Sequence, residues 1–535
     1  MLITIIFCTI AVCSALSLAA ELRRDLMMMQ QNSYRIERYR RWLRSSADTT
    51  SWPRLAGMAV ALASLAAFAS DRVGMTLIGA FAIGNIWYLS TRRYKKPLVM
   101  TPRARRIYSV SAIISIAITA VAAVAAVAAD GHSWLLPAFA ASVALQILYC
   151  ASHIVIMAAV WLLQPLENRI NRGYRDDAAR ILASCRGLKV VGITGSYGKT
   201  STKHYLKRIL DEHFATCMTP GSYNTTMGVV RTIREYLKPY DEVFIVEMGA
   251  KQPGDIKEIC DLVHPEYGIL TAVGEQHLES FGSIENVQRT KFELIDSLPA
   301  GGYAAVNNDF PYAADREVTN THCDRYAVSN TAGAQWTATD IAYSPQGTTF
   351  TVNGPDGFSM QLQTRLVGEC NISNLLAAIA MAVRLGVPQE KIRFAVADIR
   401  QVEHRLSLRR TPGGITIIDD AFNSNPTGSG MALDVLSGMT GGNRIVVTPG
   451  MIELGERQEK LNYEFGRKIA ACADIAIIVG RYNREAIRSG ASDGGMTDDR
   501  IIITDTFAQA QSMLPGIMKS GDTVLYENDL PDTFK

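Results

Sequence analysis

Long apolar runs in the first third of the chain constrain its fold more than any other feature, because about 20 apolar residues in a helix cross the hydrocarbon core of a bilayer. Five stand out, at about 1–20, 55–70, 74–90, 107–129 and 134–163. The first, fourth and fifth are long enough outright. The second and third are short and rich in Gly and Ala, and only Asp71-Arg72-Val73 separates them, so they make two thin spans or a re-entrant hairpin. Segment 21–54 carries Arg23, Arg24, Arg35, Arg38, Arg40, Arg41, Arg44 and Arg54, and segment 91–106 carries Arg92, Arg93, Lys95, Lys96, Arg103, Arg105 and Arg106. Basic loops stay on the cytoplasmic side. That rule puts the N-terminus outside, predicts five spans in the cell membrane and leaves everything after Leu163 in the cytoplasm. Residues 1–20 also read as a cleaved signal peptide, although no Lys or Arg precedes Arg23 to supply the basic n-region. Segment 35–44 reads as an amphipathic helix resting on anionic lipid headgroups.

The net charge of +3 hides the same division: residues 1–190 hold 22 Lys/Arg against nine Asp/Glu, the remainder 32 against 42. Because the basic residues lie between apolar runs, the asymmetry points to a membrane and not to nucleic acid. At 48% hydrophobic and 20% charged, the 535 residues are neither disordered nor fibrous and suggest about three domains. The nine cysteines include no C-x-x-C pair and read as reduced core residues, with neither a disulfide framework nor a zinc site. The spans show few buried charges that would mark an ion or solute path.

After a polar connector, Glu167–Arg186, the chain changes character. Leu188–Thr194 (LKVVGIT) reads as a buried strand that runs into Gly195-Ser196-Tyr197-Gly198-Lys199-Thr200-Ser201 and then a helix. Strand, glycine turn, Gly-Lys-Thr and helix make a phosphate-binding loop, in which glycines let the backbone wrap phosphates and the helix N-terminus favours negative charge. Lys199 would reach the β/γ-phosphates and the Thr200 hydroxyl would ligate Mg²⁺. The spacing is G-x-x-G-x-x-G-K-T, with Ile193 where the first glycine of the common pattern belongs. Glu247 ends the apolar run VFIVE, and His277 follows YGILTAV, so both sit at strand ends, where open α/β sheets bind ligands. Glu247 suits a hard cation.

The segment GITGSYGKTSTK (192–203) resembles the Mur ligase family, most of all its D-alanyl-D-alanine-adding type. The likeness continues through PGSYNTTMG (220–228), FIVEMGAKQPGDI (244–256), HPEYGILTAVGEQHLESFGS (264–283), KFELI (291–295) and VNNDF (306–310). GECNISNLLAAIAMA (368–382), HRLSLRRTPGGITIIDDAFNSNP (404–426) and GMIELGE (450–456) follow in order. It implies that Lys199, Glu247, His277 and Lys291 are catalytic. ATP binding falls to Thr194, Gly195, Ser196, Gly198, Lys199, Thr200 and Ser201, to Asn371 and Asn374 by the adenine, and to Arg405 at the phosphates and Asp420 at the ribose. Mg²⁺ would be held by Thr200, Glu247, His277 and Lys291, the last as a carbamate formed with CO₂. Asn371 and Asn374 also read simply as capping residues at a helix start.

The resemblance further implies carboxylate activation: a substrate carboxylate attacks the γ-phosphorus, and an amine displaces phosphate from the acyl phosphate. The protein positions the reactants and compensates charge. The expected fold class is an α-helical membrane region (1–165) and a connector (166–187) followed by α/β: a P-loop ATPase central domain (188–402) and a Rossmann-like C-terminal domain (403–535). Most departures fall on the acceptor side. Residues 222–225 read Ser-Tyr-Asn-Thr in place of paired asparagines, so that only Asn224 persists, Asn462 stands where the family has a histidine, and the end reads LYENDLPDTFK, not a basic Lys-Gly-Ser-Arg type; on the nucleotide side, Cys370 stands where a histidine is usual. Residues 1–185 lie outside the resemblance, where soluble members carry a UDP-sugar domain. Three readings follow: an ATP-dependent, ADP-forming acid–amino-acid ligase of wall-peptide type, a ligase building another polymer such as poly-γ-glutamate, and a membrane ATPase for transport or signalling. The first would join a nucleotide- or lipid-linked peptide carboxylate to an amino-acid or dipeptide amine beside membrane lipid.

Overall fold

The computed structural model describes residues 2–66, 71–92, 94, 96–129, 135–344, 347–422 and 424–529. The chain divides into two compact units, the first running to Asn171 and the second from Arg172 to Asp529. The first is built of α1 (Leu2–Gln31), α2 (Ile36–Ser45), a 3-10 turn (Asp48–Thr50), α3 (Trp52–Ala66), α4 (Asp71–Thr91), α5 (Pro102–Ala129), α6 (Leu135–Cys150) and the start of α7 (Ser152–Ser184). Its core gathers Leu22, Leu26 and Met29 of α1 with Tyr39, Trp42 and Leu43 of α2, Ile107 of α5 and Ile156 of α7.

Three of these helices are long and apolar enough to cross a membrane, Ile3–Gln31, Arg72–Thr91 and Pro102–Ala129, or up to four if one bent pair counts as a span. Five spans were expected; among the described residues these are the helices that reach spanning length. Trp52–Ala66 has 15 described residues, and the apolar run of the sequence continues past it to residue 70. The apolar run 134–163 is interrupted at Ala151, where α6 and α7 meet at 77°. The stretch read as a polar connector is helical to Ser184. Residues 67–70 and 130–134, which take in the end of the second apolar run and the link between the fourth and fifth, and the terminal 530–535 lie outside the described residues.

Charged side chains are buried next to the apolar runs and not within them. Glu21 and Asp25 of α1, Asp48 of the 3-10 turn and Arg54 of α3 are all buried. Arg54 donates to both oxygens of Asp25 at 2.9 and 3.0 Å, pairs with Glu21 at 3.1 Å and reaches the last carbonyls of α6, Tyr149 and Cys150. Arg24 ties Glu21 to Asp48, and Ser152 donates to Asp25 at 2.6 Å. His153 also lies against Arg54, 3.3 Å away. These groups are far apart in sequence, and pairing removes most of the penalty of burying them. All nine cysteines are free, and Cys8 is exposed and not a core residue.

The second unit holds two sheets. The larger has the order β2-β3-β1-β4-β5-β6-β7-β8-β9, from β1 (Lys189–Thr194), β2 (Thr216–Met218), β3 (Val243–Glu247), β4 (Tyr267–Leu270), β5 (Tyr303–Asn307), β6 (His322–Ala327), β7 (Trp336–Ser344), β8 (Gly347–Asn353) and β9 (Ser359–Thr364). Pairing is parallel as far as β7, and β7–β8–β9 form an antiparallel extension. The apolar strands β1, β3 and β5 are buried almost end to end, as parallel strands covered on both faces require. The smaller sheet has the order β10-β11-β15-β12-β13-β14, from β10 (Ser407–Arg410), β11 (Thr416–Asp420), β12 (Arg444–Thr448), β13 (Ile475–Val479), β14 (Ile501–Thr504) and β15 (Thr523–Glu527). All its pairings are parallel except β10–β11.

Candidate active site

Strand β1 is central, between β3 and β4, so three successive carboxyl ends lie side by side. Ile193 is opposite Glu247 and Thr194 opposite Leu270. The lysine-bearing turn, the Glu247 carboxylate and the loop leading to His277 therefore open on one edge, where a sheet whose strand order reverses leaves a crevice. From Gly198 the chain enters α8 (Lys199–Leu210).

The three glycines of G-x-x-G-x-x-G serve different contacts. A Cβ on Gly192 would come within 2.5 Å of Leu294, which lies on helix Ile284–Asp296, the carrier of Lys291. Gly195 abuts Thr271, and Gly198, at φ +81°, abuts the side chain of Asn374. The turn is knitted to the loop after β4: Ser196 bonds both the N–H and the carbonyl of Gly274, and Thr271 donates to Tyr197 O at 2.5 Å. Lys199 donates to the carbonyls of Gly195 (2.6 Å) and Ser196 (3.3 Å). Burial, with Arg405 adding, lowers its pKa to about 8, although Glu247 pulls the other way.

Glu247 is held by Lys203 and Thr219, which had no role in the sequence reading, and by Asn224 of the motif at 220–228. Lys203, fully buried and four residues along α8 from Lys199, pairs with it at 2.9 Å and donates to Gly221 O at 2.6 Å. Asn224 donates to the carboxylate at 3.1 Å, and Thr219 accepts from the Glu247 N–H. Segment 219–224 is thus pinned around the strand end. Burial raises the pKa of Glu247, but Lys203 and Lys199 outweigh it and keep the carboxyl below its usual range. The signal for Lys203 was available, since four-residue spacing puts it on the same helix face as Lys199.

His277 occupies a left-handed conformation (φ +53°) at the start of the short helix Leu278–Phe281. Its Nδ1 meets the carboxylate of Glu453, another left-handed residue, and the Glu279 N–H bonds Glu453 O. Arg457 pairs with Glu275. Segment 450–457 of the second sheet's part therefore lies against the His277 loop. Burial holds His277 below its ordinary pKa against the pull of Glu453. Nothing in the sequence around His277 pointed to Glu453. Lys291 is buried without an ion pair among the described residues, and burial, with Lys199 adding, sets its pKa well below the ordinary lysine value.

Asn371 and Asn374 lie on helix Glu369–Arg384, not at its N-cap, which is Gly368. They bond α8 itself: Tyr205 donates to Asn371 at 2.8 Å and Thr202 to Asn374 at 3.3 Å. Arg405 reaches Thr200 Oγ1 at 3.5 Å and stacks on Phe422. Asp420, at the end of β11, accepts from the Leu406 N–H, and burial, opposed by Arg405, lifts its pKa to about 6. Its register partner on β15 is Glu527, a fully buried carboxyl bonded to Ser424. A cavity of about 640 Å³ opens beside these groups, lined by Thr200, His204, Arg208, Ser222, Arg405 and Phe422.

Thr200 and Glu247 offer the hard oxygen donors that Mg²⁺ takes together with phosphate oxygens and water. Among the described residues no group of three or more His, Cys, Asp or Glu is arranged to hold a metal ion by itself. His277, engaged by Glu453, and Lys291, an amine unless carbamylated, add a donor only by exchanging a partner or acquiring an acid group.

A lysine-bearing glycine turn and a strand-end carboxylate, faced by a second α/β part, define a nucleotide-driven group-transfer enzyme. Residues 193–382 match the Mur ligase middle domain, and residues 404–526 match the Mur ligase glutamate ligase domain. UDP-N-acetylmuramoyl-tripeptide--D-alanyl-D-alanine ligase of Escherichia coli is 31% identical over 59% of this chain and 70% of its own length. The Bacillus subtilis enzyme of that name is 28% identical over 64% of this chain and 72% of its own. Among solved structures, MurF from Acinetobacter baumannii superposes with a TM-score of 0.61 at 27% identity, covering 66% of this chain and 77% of that one. MurF from Thermotoga maritima, in complex with ADP, gives 0.60 at 26%, covering 67% and 80%. The chain belongs to the Mur ligase family. It is an ATP-dependent, ADP-forming acid–amino-acid ligase.

Proposed function

We propose that this ligase works at the membrane in peptidoglycan-precursor synthesis, joining the carboxylate of a nucleotide- or lipid-linked peptide to the amine of an amino acid or dipeptide. One observation carries the reading: in a chain of the Mur ligase family, the Lys199 turn and the Glu247 carboxylate open on one edge of the larger sheet, and apolar helices precede that unit. The helices anchor the chain, with the N-terminus outside and the ligase unit in the cytoplasm. Among the described residues three helices, or four with the bent pair, are long and apolar enough to serve.

In the mechanism this supports, the turn 195–201 is a phosphate-binding loop, Lys199 neutralises the β/γ-phosphates, and Arg405 approaches them from the second sheet's part. Thr200 and Glu247, with His277 and a carbamylated Lys291 as further donors, would hold Mg²⁺, which supplies charge neutralisation on the phosphates. Asn371 and Asn374 border the adenine, and Asp420 takes the ribose. The donor carboxylate attacks the γ-phosphorus, the acyl phosphate forms as ADP departs, and the amine displaces phosphate to give the amide. Contact of segment 450–457 with the His277 loop keeps water from the acyl phosphate. Burial lowers the pKa of Lys291, which favours the neutral amine, the form that reacts with CO₂.

Purified full-length protein supplied with ATP, D-alanyl-D-alanine and either a UDP-linked tripeptide or its lipid-linked counterpart tests the donor. Amide formation from the lipid-linked donor alone identifies the membrane form, and efficient product from the UDP-linked tripeptide would discard it. ATP hydrolysis unaffected by any amine or donor, with no amide formed, would discard the ligase step.

A further inference from the structure

The two basic segments of the helical unit, far apart in sequence, are folded onto one end of the bundle. Gln30 bonds the backbone of Val99 in both directions, Gln31 donates to Lys96 O, and Arg103 stacks on Tyr34 at 4.4 Å. Tyr108 donates to Ala19 O, which sets the first turns of α5 beside the last turns of α1. The arginines at this end fall into two groups. Arg24, Arg54, Arg103 and Arg106 are spent on Glu21, Asp25, Asp48 and Glu167. Arg23, Arg40, Arg44 and Arg105 are exposed and have no ion-pair partner among the described residues. On α2 the apolar residues Tyr39, Trp42 and Leu43 are buried in the bundle core. The helix therefore does not rest its apolar face on lipid, as its sequence suggests; it is fastened to the protein and turns Arg40 and Arg44 outward.

We propose that this end of the helical unit is a docking surface for anionic phospholipid headgroups, an inference that rests on the membrane reading above. Three observations agree on depth and chemistry. Trp52 and Trp87, the side chains favoured at headgroup level, are 84% and 69% exposed at the start of α3 and near the end of α4. On α5 the exposed apolar face begins at Ile113, eight residues beyond Arg105, about 12 Å along the helix and so one headgroup layer away. Unpaired guanidiniums match phosphate oxygens with two parallel N–H donors, and a zwitterionic surface offers no net charge to hold them.

The test uses full-length protein purified in a zwitterionic detergent and exchanged into nanodiscs containing phosphatidylglycerol and phosphatidylcholine. Lipids retained after detergent is restored are counted by native mass spectrometry. Wild type is expected to retain phosphatidylglycerol over phosphatidylcholine by about tenfold or more. The triple variant Arg40→Gln, Arg44→Gln, Arg105→Gln should fall to within about twofold, with ATP turnover and circular dichroism unchanged. No preference in wild type, an undiminished preference in the variant, or retention of an isoprenyl diphosphate lipid alone would each overturn the proposal. Failure of the membrane reading shows separately: alkaline carbonate, without detergent, would then release the chain from cell membranes.

Discussion

At the scale of single residues the site is governed by two lysines one helical turn apart. Lys199 has a pKa lowered to about 8, so its proton is lost as pH rises through that value. ATP affinity should therefore fall above pH 8, measured by nucleotide titration across a pH series. Stability should move the other way. Between about 8 and the ordinary lysine value of 10.5 the unfolded chain binds a proton that the folded chain does not, so unfolding becomes harder as pH rises there. Lys203 has a different task, because it joins the Glu247 carboxylate to the backbone of Gly221. Replacing it by Met leaves a buried carboxylate without its cation, at a cost of about 3–5 kcal/mol. Thermal unfolding should show that loss. The double variant Lys203→Met, Glu247→Gln should recover most of the stability and none of the ligase activity.

Among the elements, the break between α6 and α7 is the feature most dependent on its surroundings. The last carbonyls of a helix have no partners within it, and here Arg54 supplies donors to those of Tyr149 and Cys150 while Ser152, opening the next helix, holds Asp25. Arg54→Ala would take from Asp25 its bidentate cation, while Arg24 keeps Glu21 and Asp48 paired, and would free two helix-end carbonyls. A loss of about 3–5 kcal/mol is expected, read as a lowered melting temperature of the full chain in detergent, whereas Arg40→Ala on the outer face of α2 should leave it unchanged. Gly192 shows the same dependence in the ligase unit. Its lack of a side chain lets Leu294 approach β1, and that contact seats the helix bearing Lys291.

For the whole molecule the decisive contacts join the two sheets' parts of the ligase unit: Arg405 with Thr200, Glu453 with His277, and Arg457 with Glu275. The last two are partly exposed ion pairs, each worth about 1 kcal/mol or less and weakened by salt. Glu453→Ala combined with Arg457→Ala should therefore lower turnover several-fold and make it less sensitive to salt. ATP affinity measured with the resting enzyme should change little. The same double variant should expose the linker 398–405 to protease sooner, a readout independent of catalysis.

The glycine turn between β1 and α8, the strand-end position of Glu247 and the alternation of strands and helices were legible in the sequence, because each depends on residues close together in the chain, whereas His277 lies in the loop beyond the end of β4 and not at it. Lys203 was legible too, through its four-residue spacing from Lys199. The partnership of His277 with Glu453, the pairing of Asp420 with Glu527 and the seating of Gly192 under Leu294 were not, since each joins residues that only the packed sheets bring together. The apolar runs of the first third by themselves determined a helical, lipid-like composition. Where those helices break and which charges they bury were decided by tertiary structure. A helix-breaking turn at Ala151 survives because Arg54, nearly a hundred residues earlier, satisfies the carbonyls it frees, and no local pattern carries that information.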